Sequence, residues 1–171
     1  MASAVNPSAP ALDPELFREA MGRMAAGVTV VTSDGEAGRV GLTVSTLCSL
    51  SMEPPSVLFC IHRESRSLPA LLANGVFAAN VLAGSQHEVA DSFAGRIPAF
   101  REDRFRAAEW DIGAHGAPLL QGALCRFECR IASVFDFGSH RIVAGEVLRL
   151  DTMADEPLLY SGRAYRRLQA S

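Results

Sequence analysis

An antiparallel β barrel or sandwich with a few short helices is the fold class this sequence predicts, on three observations. Six or more apolar, β-branched runs are separated by short turn-forming stretches. Residues 123–135 carry a clear two-residue period, with Ala123, Cys125, Phe127, Cys129, Ile131, Ser133 and Phe135 alternating with Leu124, Arg126, Glu128, Arg130, Ala132 and Val134. Helical periodicity is confined to three brief stretches.

The first of these is "DPELFREAMGRMAAG" (13–27), where Leu16, Ala20 and Met24 recur at helical spacing. Asp13 and Pro14 supply an N-cap and a first-turn proline, and Gly27 a stop. A hairpin follows, with "VTVVTS" (28–33) and "RVGLTVSTLCSLS" (39–51) flanking the turn "DGEAG". Pro54-Pro55 closes it. "SVLFCIH" (56–62) is apolar enough to predict a strand buried on both faces.

"SLPALLANG" reads as a short helix capped by Ser67 and stopped by Gly75, followed by the strand "VFAANVL" (76–82) and the helix "GSQHEVADSFAG" (84–95). Residues 96–118 lack a period, and Arg101, Arg104 and Arg106 are expected on a solvated face. The long alternating strand then turns at "FGSH" into its partner "RIVAGEVLRLD". A closing strand near "PLLYSGRAYRRL" ends the chain.

Composition bounds the function. The 171 residues are 49% hydrophobic and 20% charged, with a formal charge of −3. One domain over 13–171 is the expectation, behind a loose tail over residues 1–12. Mild acidity argues against a nucleic-acid partner, and no run is long enough to span a bilayer. The start has no basic region leading into an apolar one, so a cytoplasmic address is expected. Cys48, Cys60, Cys125 and Cys129 form no C-x-x-C pair and read as reduced core thiols.

No G-x-G-x-x-G, Walker loop, G-x-S-x-G or H-E-x-x-H is present, and the four histidines are scattered. No metal is expected. What stands out is "GLTVSTLCSLS" (41–51), unusually dense in hydroxyls for a strand. A buried hydroxyl without a partner carries a desolvation cost. These hydroxyls therefore either bond neighbouring backbone or face a ligand. "CIHRESRS" (60–67), Asn80 and "GSH" (138–140) are the other candidates.

Taken in order and spacing, "FREAMGRMAAGVTVVTS", "GRVGLTVSTLCSLSMEPPSVLFCIHRESRS", "FAANVLAGSQHEVADSFAG" and "DFGSHRIVAGEV" resemble the short-chain flavin reductases, the reductase components of two-component flavin-dependent monooxygenases. The resemblance covers about residues 15–168. It implies a flavin-binding split barrel, antiparallel and Greek-key-like, that dimerises and oxidises NADH, or NADPH, while reducing FMN or FAD. Thr43, Val44, Ser45 and Thr46 would line the isoalloxazine ring. Cys60, Ile61 and His62 would continue to the ribityl chain, and Ser65, Arg66 and Ser67 to the phosphate at the start of the short helix. Asn80 would bond the ribityl chain or the strand backbone, and Phe93 and Arg96 would lie at the outer flavin edge. Many relatives carry Asn where this chain has His62.

Gly138 and Ser139 would allow close approach of the nicotinamide, with His140 as the catalytic candidate touching its amide. Many relatives read Gly-Asp-His here, others Gly-Ser-His. Tyr160, Arg163 and Tyr165 either edge the nicotinamide pocket or cover the barrel. The implied partner is a monooxygenase fed by diffusing reduced flavin. The competing expectations are a non-catalytic flavin- or haem-binding barrel and a flavin-dependent corrinoid or ferric reductase.

Overall fold

The computed structural model describes residues 12–168. Residues 1–11, all but the last residue of the expected tail, lie outside that range. Helix α1 (Pro14–Gly22) begins as the sequence predicts, with the Asp13 carboxylate accepting the Glu15 N–H at 2.9 Å. It ends five residues before Gly27, however. The Arg23 N–H closes the last turn, and Ala26 and Gly27 are drawn into a short strand, β1, that pairs with Tyr160 and Leu159.

The expected hairpin is split. β2 (Thr29–Ser33) pairs with β3 (Val40–Val44), but the second strand breaks at Ser45 and resumes as β4 (Cys48–Met52). β5 (Pro55–His62), α2 (Leu68–Asn74), β6 (Val76–Val81) and α3 (His87–Phe93) follow. The stretch expected to be irregular contains two single 3₁₀ turns and the small hairpin β7 (Trp110–Ile112) and β8 (Pro118–Leu120). Arg104 is not on a solvated face there. Its Nη1 donates to the Phe93 carbonyl at 3.0 Å. β9 (Cys125–Phe137) and β10 (His140–Thr152) form the long hairpin, and β11 (Leu159–Ser161) with β12 (Ala164–Arg166) replaces the single closing strand.

Seven strands form one antiparallel sheet in the order β3-β2-β6-β9-β10-β5-β4. It curls until β3, at one edge, approaches β5 near the other, making a barrel slit along the β3 edge. The interior holds Val31, Val44, Phe59, Ile61, Phe77, Cys129 and Val143. Phe59 and Phe77 meet edge to face at 5.2 Å. Gly145 makes room for them: a Cβ there would sit 2.4 Å from Phe77 Cζ.

A second core lies outside the barrel wall. Val30, on the other face of β2 from Val31, packs with Leu82, Val89, Phe93, Leu120 and Leu158 under α3 and the C-terminal hairpin. β2 is thus buried on both faces, as is β6 from Phe77 to Asn80. β5, expected to be so, alternates instead, because nothing among the described residues covers the side of it that carries Leu58 and Cys60. Of the four cysteines only Cys129 is buried; Cys60 and Cys125 are half-buried and Cys48 is exposed, so the core-thiol expectation fails for three. All four are free thiols.

Candidate functional site

The barrel's slit is the candidate site. An edge strand leaves one row of backbone N–H and C=O groups unpaired. β3 bonds only β2, so its other edge opens into a groove of about 310 Å³ lined by Leu42–Thr46 on one side and Cys60, Ile61, His62, Ser65 and His140 on the other. The groove brings together residues from both halves of the sequence.

The hydroxyls divide the work. Thr43 Oγ1 donates to the Ala90 carbonyl at 2.7 Å, fixing α3 to β3. Thr46 Oγ1 accepts the Cys60 N–H at 3.0 Å and so pins the end of the slit. Ser67 Oγ donates to the Gly41 carbonyl at 3.1 Å. Three of the hydroxyls singled out in the sequence are therefore engaged within the fold. Ser45 is exposed, and its hydroxyl has no partner among the described residues. With the Ser65 hydroxyl, which lines the groove and also makes no bond among the described residues, it is what the groove leaves free.

At the mouth, His140 on β10 stands directly opposite His62 on β5. Their rings lie 5.0 Å apart at 82°. Each is held at Nδ1: Glu64 N–H donates to His62 at 3.2 Å, and Ser139 Oγ lies 2.9 Å from His140. Because His62 Nδ1 accepts a backbone N–H, a neutral His62 carries its proton on Nε2. Gly138, at φ 54°, makes the turn, and the Ser139 carbonyl accepts the Arg63 N–H at 3.0 Å. Gly138 and Ser139 position His140 and do not line the groove.

A smaller cavity of about 160 Å³ shares Thr43, Val44 and Ser45 with the groove and adds Val28, Ala94, Arg96, Tyr160 and Tyr165. Asp91 organises it, accepting from Tyr165 Oη at 2.7 Å and from Arg96 Nη1 at 3.0 Å. Burial first, and then the bond to Asp91, raise the Tyr165 phenol above its ordinary range. The same carboxylate, followed by Tyr160, raises the Arg96 guanidinium. Arg96 and Tyr165 thus border the groove's neighbour and not the groove itself. Asp91 escaped the sequence reading because its partner Tyr165 is distant in the chain.

Other expected contacts do not reach the groove. Asn80 is fully buried: its Nδ2 donates to the Val30 carbonyl and to Thr32 Oγ1, both at 3.1 Å, and its Oδ1 accepts the Leu120 N–H at 2.8 Å. It joins β2, β6 and β8 and has no group free for a cofactor. The Phe93 ring is also buried, packed on Phe105 and Trp110. Val44 and Ile61 turn their side chains into the barrel, leaving only backbone to the groove. Arg66 is exposed and lines a separate recess.

A slit barrel whose open edge offers spare backbone groups, the free hydroxyls of Ser45 and Ser65 and two imidazoles suits a flat, polar-edged ligand. The chain belongs to the flavin reductase like domain family, whose model matches residues 21–169. It is 40% identical to an FMN reductase (NADH), RutF, of Stutzerimonas stutzeri, over 92% of this chain and 90% of that one. It is 38% identical to the reductase component of 4-hydroxyphenylacetate 3-monooxygenase of Pseudomonas aeruginosa, over 91% and 92%. The NADH:FAD oxidoreductase SgcE6 of Streptomyces globisporus, solved with NAD and FAD fragments, superposes with a TM-score of 0.84 at 34% identity, covering 98% of each chain.

Proposed function

We propose that this chain is an NADH-dependent flavin reductase that reduces FMN or FAD and supplies the reduced flavin to a separate flavin-dependent monooxygenase. The observation that carries the reading is the groove along the free edge of β3, where Ser45 and unpaired backbone face Cys60 and the His62–His140 pair. Its donor set fits a flavin ring, whose edge carries both acceptors and donors. The relatives named above, reductases of FMN or FAD by title, support the same assignment.

Bound flavin supplies the redox chemistry, taking two electrons from reduced nicotinamide. The protein's part is orientation. Thr46, bonded to Cys60, fixes the width of the slit, and Ser45 sets the ring's rotation within it. His140, braced by Ser139, holds the nicotinamide amide at the mouth. Positioning of this kind supplies most of the acceleration, so no acid–base triad is required.

Residues 13–171 act in this reading as one domain, and two copies form a homodimer. β4 and β10 expose Leu50, Met52, Leu148 and Leu150, and Met52 and Leu150 line an apolar cavity of about 390 Å³. An apolar patch of that kind marks an interaction surface. Among the described residues no helix is long and apolar enough to cross a membrane. Four free thiols accord with a cytoplasmic enzyme.

NADH oxidation measured with and without added FMN and FAD tests the assignment. Turnover that saturates with free flavin is expected. A protein that binds flavin but oxidises no NADH is the binding barrel instead. One that turns over only with a ferric or corrinoid acceptor is the alternative reductase.

A further inference from the structure

Four histidines are scattered along the sequence, and the fold brings two of them together. His62 ends β5 and His140 begins β10, directly opposite each other in the antiparallel register, so both side chains leave the same face of the sheet. Both are exposed at the groove mouth, with rings 5.0 Å apart. Two imidazoles that share one tetrahedral metal ion, each at a metal–nitrogen distance of ~2.0–2.1 Å, hold their centroids about 5 Å apart. The pair is thus spaced for one ion between the rings. The mechanism above uses His140 and gives His62 no task of its own.

We propose that His62 and His140 together bind a divalent transition-metal ion of the zinc class, and that the bound ion closes the groove mouth to nicotinamide. The second half rests on the flavin reductase reading; the first does not. Imidazole suits zinc, nickel and copper ions, whereas hard cations such as magnesium seek oxygen. Cross-strand histidines need only turn about the outer side-chain torsion to aim both Nε2 atoms at one point, and exposure leaves that turn free. Among the described residues no third His, Cys, Asp or Glu completes a cluster with them. The ion therefore keeps water in its remaining positions, and the site is open and exchangeable, unlike a closed structural zinc.

The surroundings of each ring suit ligation. Ser139 Oγ, 2.9 Å from His140 Nδ1, can accept the Nδ1–H and leave Nε2 free for the ion. At His62 the proton passes from Nε2 to Nδ1 through solvent, and none is gained or lost. The bond from the Glu64 N–H, at 3.2 Å the long limit for its kind, is given up. The Glu64 carboxylate is exposed, makes no bond among the described residues, and is the acceptor nearest in sequence for the new Nδ1–H. Charge does not oppose the ion. Arg63 and Arg141 both pair with Asp136, and with Glu64 these four neighbours sum to zero. An ion held there engages the His140 ring and withholds it from the nicotinamide amide.

Zinc chloride alone, titrated calorimetrically into the intact protein, is the first test. One saturable site at micromolar concentration is expected, weakened about ten-fold or more in His62→Asn by loss of one of two protein ligands. Asparagine can still accept the Glu64 N–H, and circular dichroism checks that the variant folds. Free thiols also bind zinc, and Cys60 lines the same groove, so cobalt chloride is the second probe. Visible absorption without a thiolate-to-metal charge-transfer band is expected. In steady-state turnover zinc should compete with NADH, and a chelator should restore the rate. Half-inhibition of His62→Asn, each rate taken relative to the same protein without zinc, should need about ten-fold more of the ion. Zinc binding that His62→Asn leaves unmoved, or a thiolate band in the cobalt spectrum, overturns the proposal. So does an absence of saturable binding, or zinc bound at the pair without effect on KM for NADH. No turnover before zinc is added would overturn the reductase reading, and calorimetry would still decide the metal site.

Discussion

His62 and His140 face each other across β5 and β10 with their rings nearly perpendicular and 5.0 Å apart. One belongs to the half of the groove expected to hold flavin, the other to the turn expected to meet nicotinamide. Their contact couples the two ends of the site through a single pair of side chains.

His140→Ala is therefore expected to slow reduction of bound flavin, or raise KM for NADH, about five-fold, the worth of one neutral hydrogen bond of about 1 kcal/mol. The flavin dissociation constant should change little. Rapid-mixing reduction across a range of NADH concentrations, beside flavin titration, gives both numbers. Because the rings touch, His62→Ala and His140→Ala should be non-additive. Strict additivity would mean the pair transmits nothing.

Asn80→Ala should cost stability and not flavin affinity. The substitution strands the buried Leu120 N–H and the Val30 carbonyl, and each buried unsatisfied group costs about 1–3 kcal/mol. A loss of about 2–4 kcal/mol in urea melts is expected, with unchanged flavin affinity in the fraction that stays folded. Selective loss of flavin binding would return Asn80 to the site.

Most strand-forming runs were legible because alternation and turn residues are local signals, and Ser67 to Gly75 marked α2 correctly. The misreadings share one cause. Asn80 left a ribityl contact and a strand-backbone contact open; the structure takes the second, with partners on β2 and β8 that no local pattern reveals. β5 looked doubly buried and β2 did not, because α3 and the C-terminal hairpin cover the outer face of β2 and not that of β5. Gly41 gave no sign that it lies beneath the Phe93 ring, where a Cβ would come within 2.4 Å of a ring carbon. The hydroxyl-rich stretch stood out in the sequence, but only the slit separates Thr43 and Thr46, engaged in the fold, from the free Ser45.

Met52→Glu together with Leu50→Glu should dissociate the homodimer. Met52 is 78% exposed and Leu50 50% in the single chain, and carboxylates buried between two copies would lack partners. Light scattering at micromolar concentration is expected to show a dimer for the unmodified chain and a monomer for the variant. A monomeric unmodified chain with full activity would remove the dimer from the proposal.

Alkaline pH should destabilise the fold through Cys129. Burial, with the Glu128 charge adding, pushes its thiol from 9.0 up to about 12. The unfolded chain thus ionises first, and between pH ~9 and ~12 it binds fewer protons than the folded one. Stability conferred by the neutral thiol is complete below pH ~9 and falls by up to about 1.4 kcal/mol per pH unit above it. Tyr165 acts in the same direction, so the comparison must be with Cys129→Ala, in which Tyr165 is retained. Urea melts at several pH values should give a shallower alkaline slope for the variant. Parallel slopes would show that Cys129 does not titrate as described.

Ser45 gives the sharpest test of the groove. It borders both the groove and the smaller cavity beside it, is exposed, and has no side-chain partner among the described residues. Substitution there should leave folding stability within about 0.5 kcal/mol, as at other surface positions away from special features. Ser45→Ala removes one hydrogen bond to the ligand, worth about 0.5–1.5 kcal/mol, so flavin affinity should fall about two- to ten-fold. Ser45→Leu adds bulk where the ring must lie and should abolish binding outright. Thr46→Val is the contrasting variant. It leaves the Cys60 N–H without its acceptor, so it should lower stability as well as affinity. Flavin titration and urea melts on all three variants separate the outcomes. If Ser45→Leu stays folded and binds FMN and FAD as the unmodified chain does, the slit beside β3 is not where flavin sits.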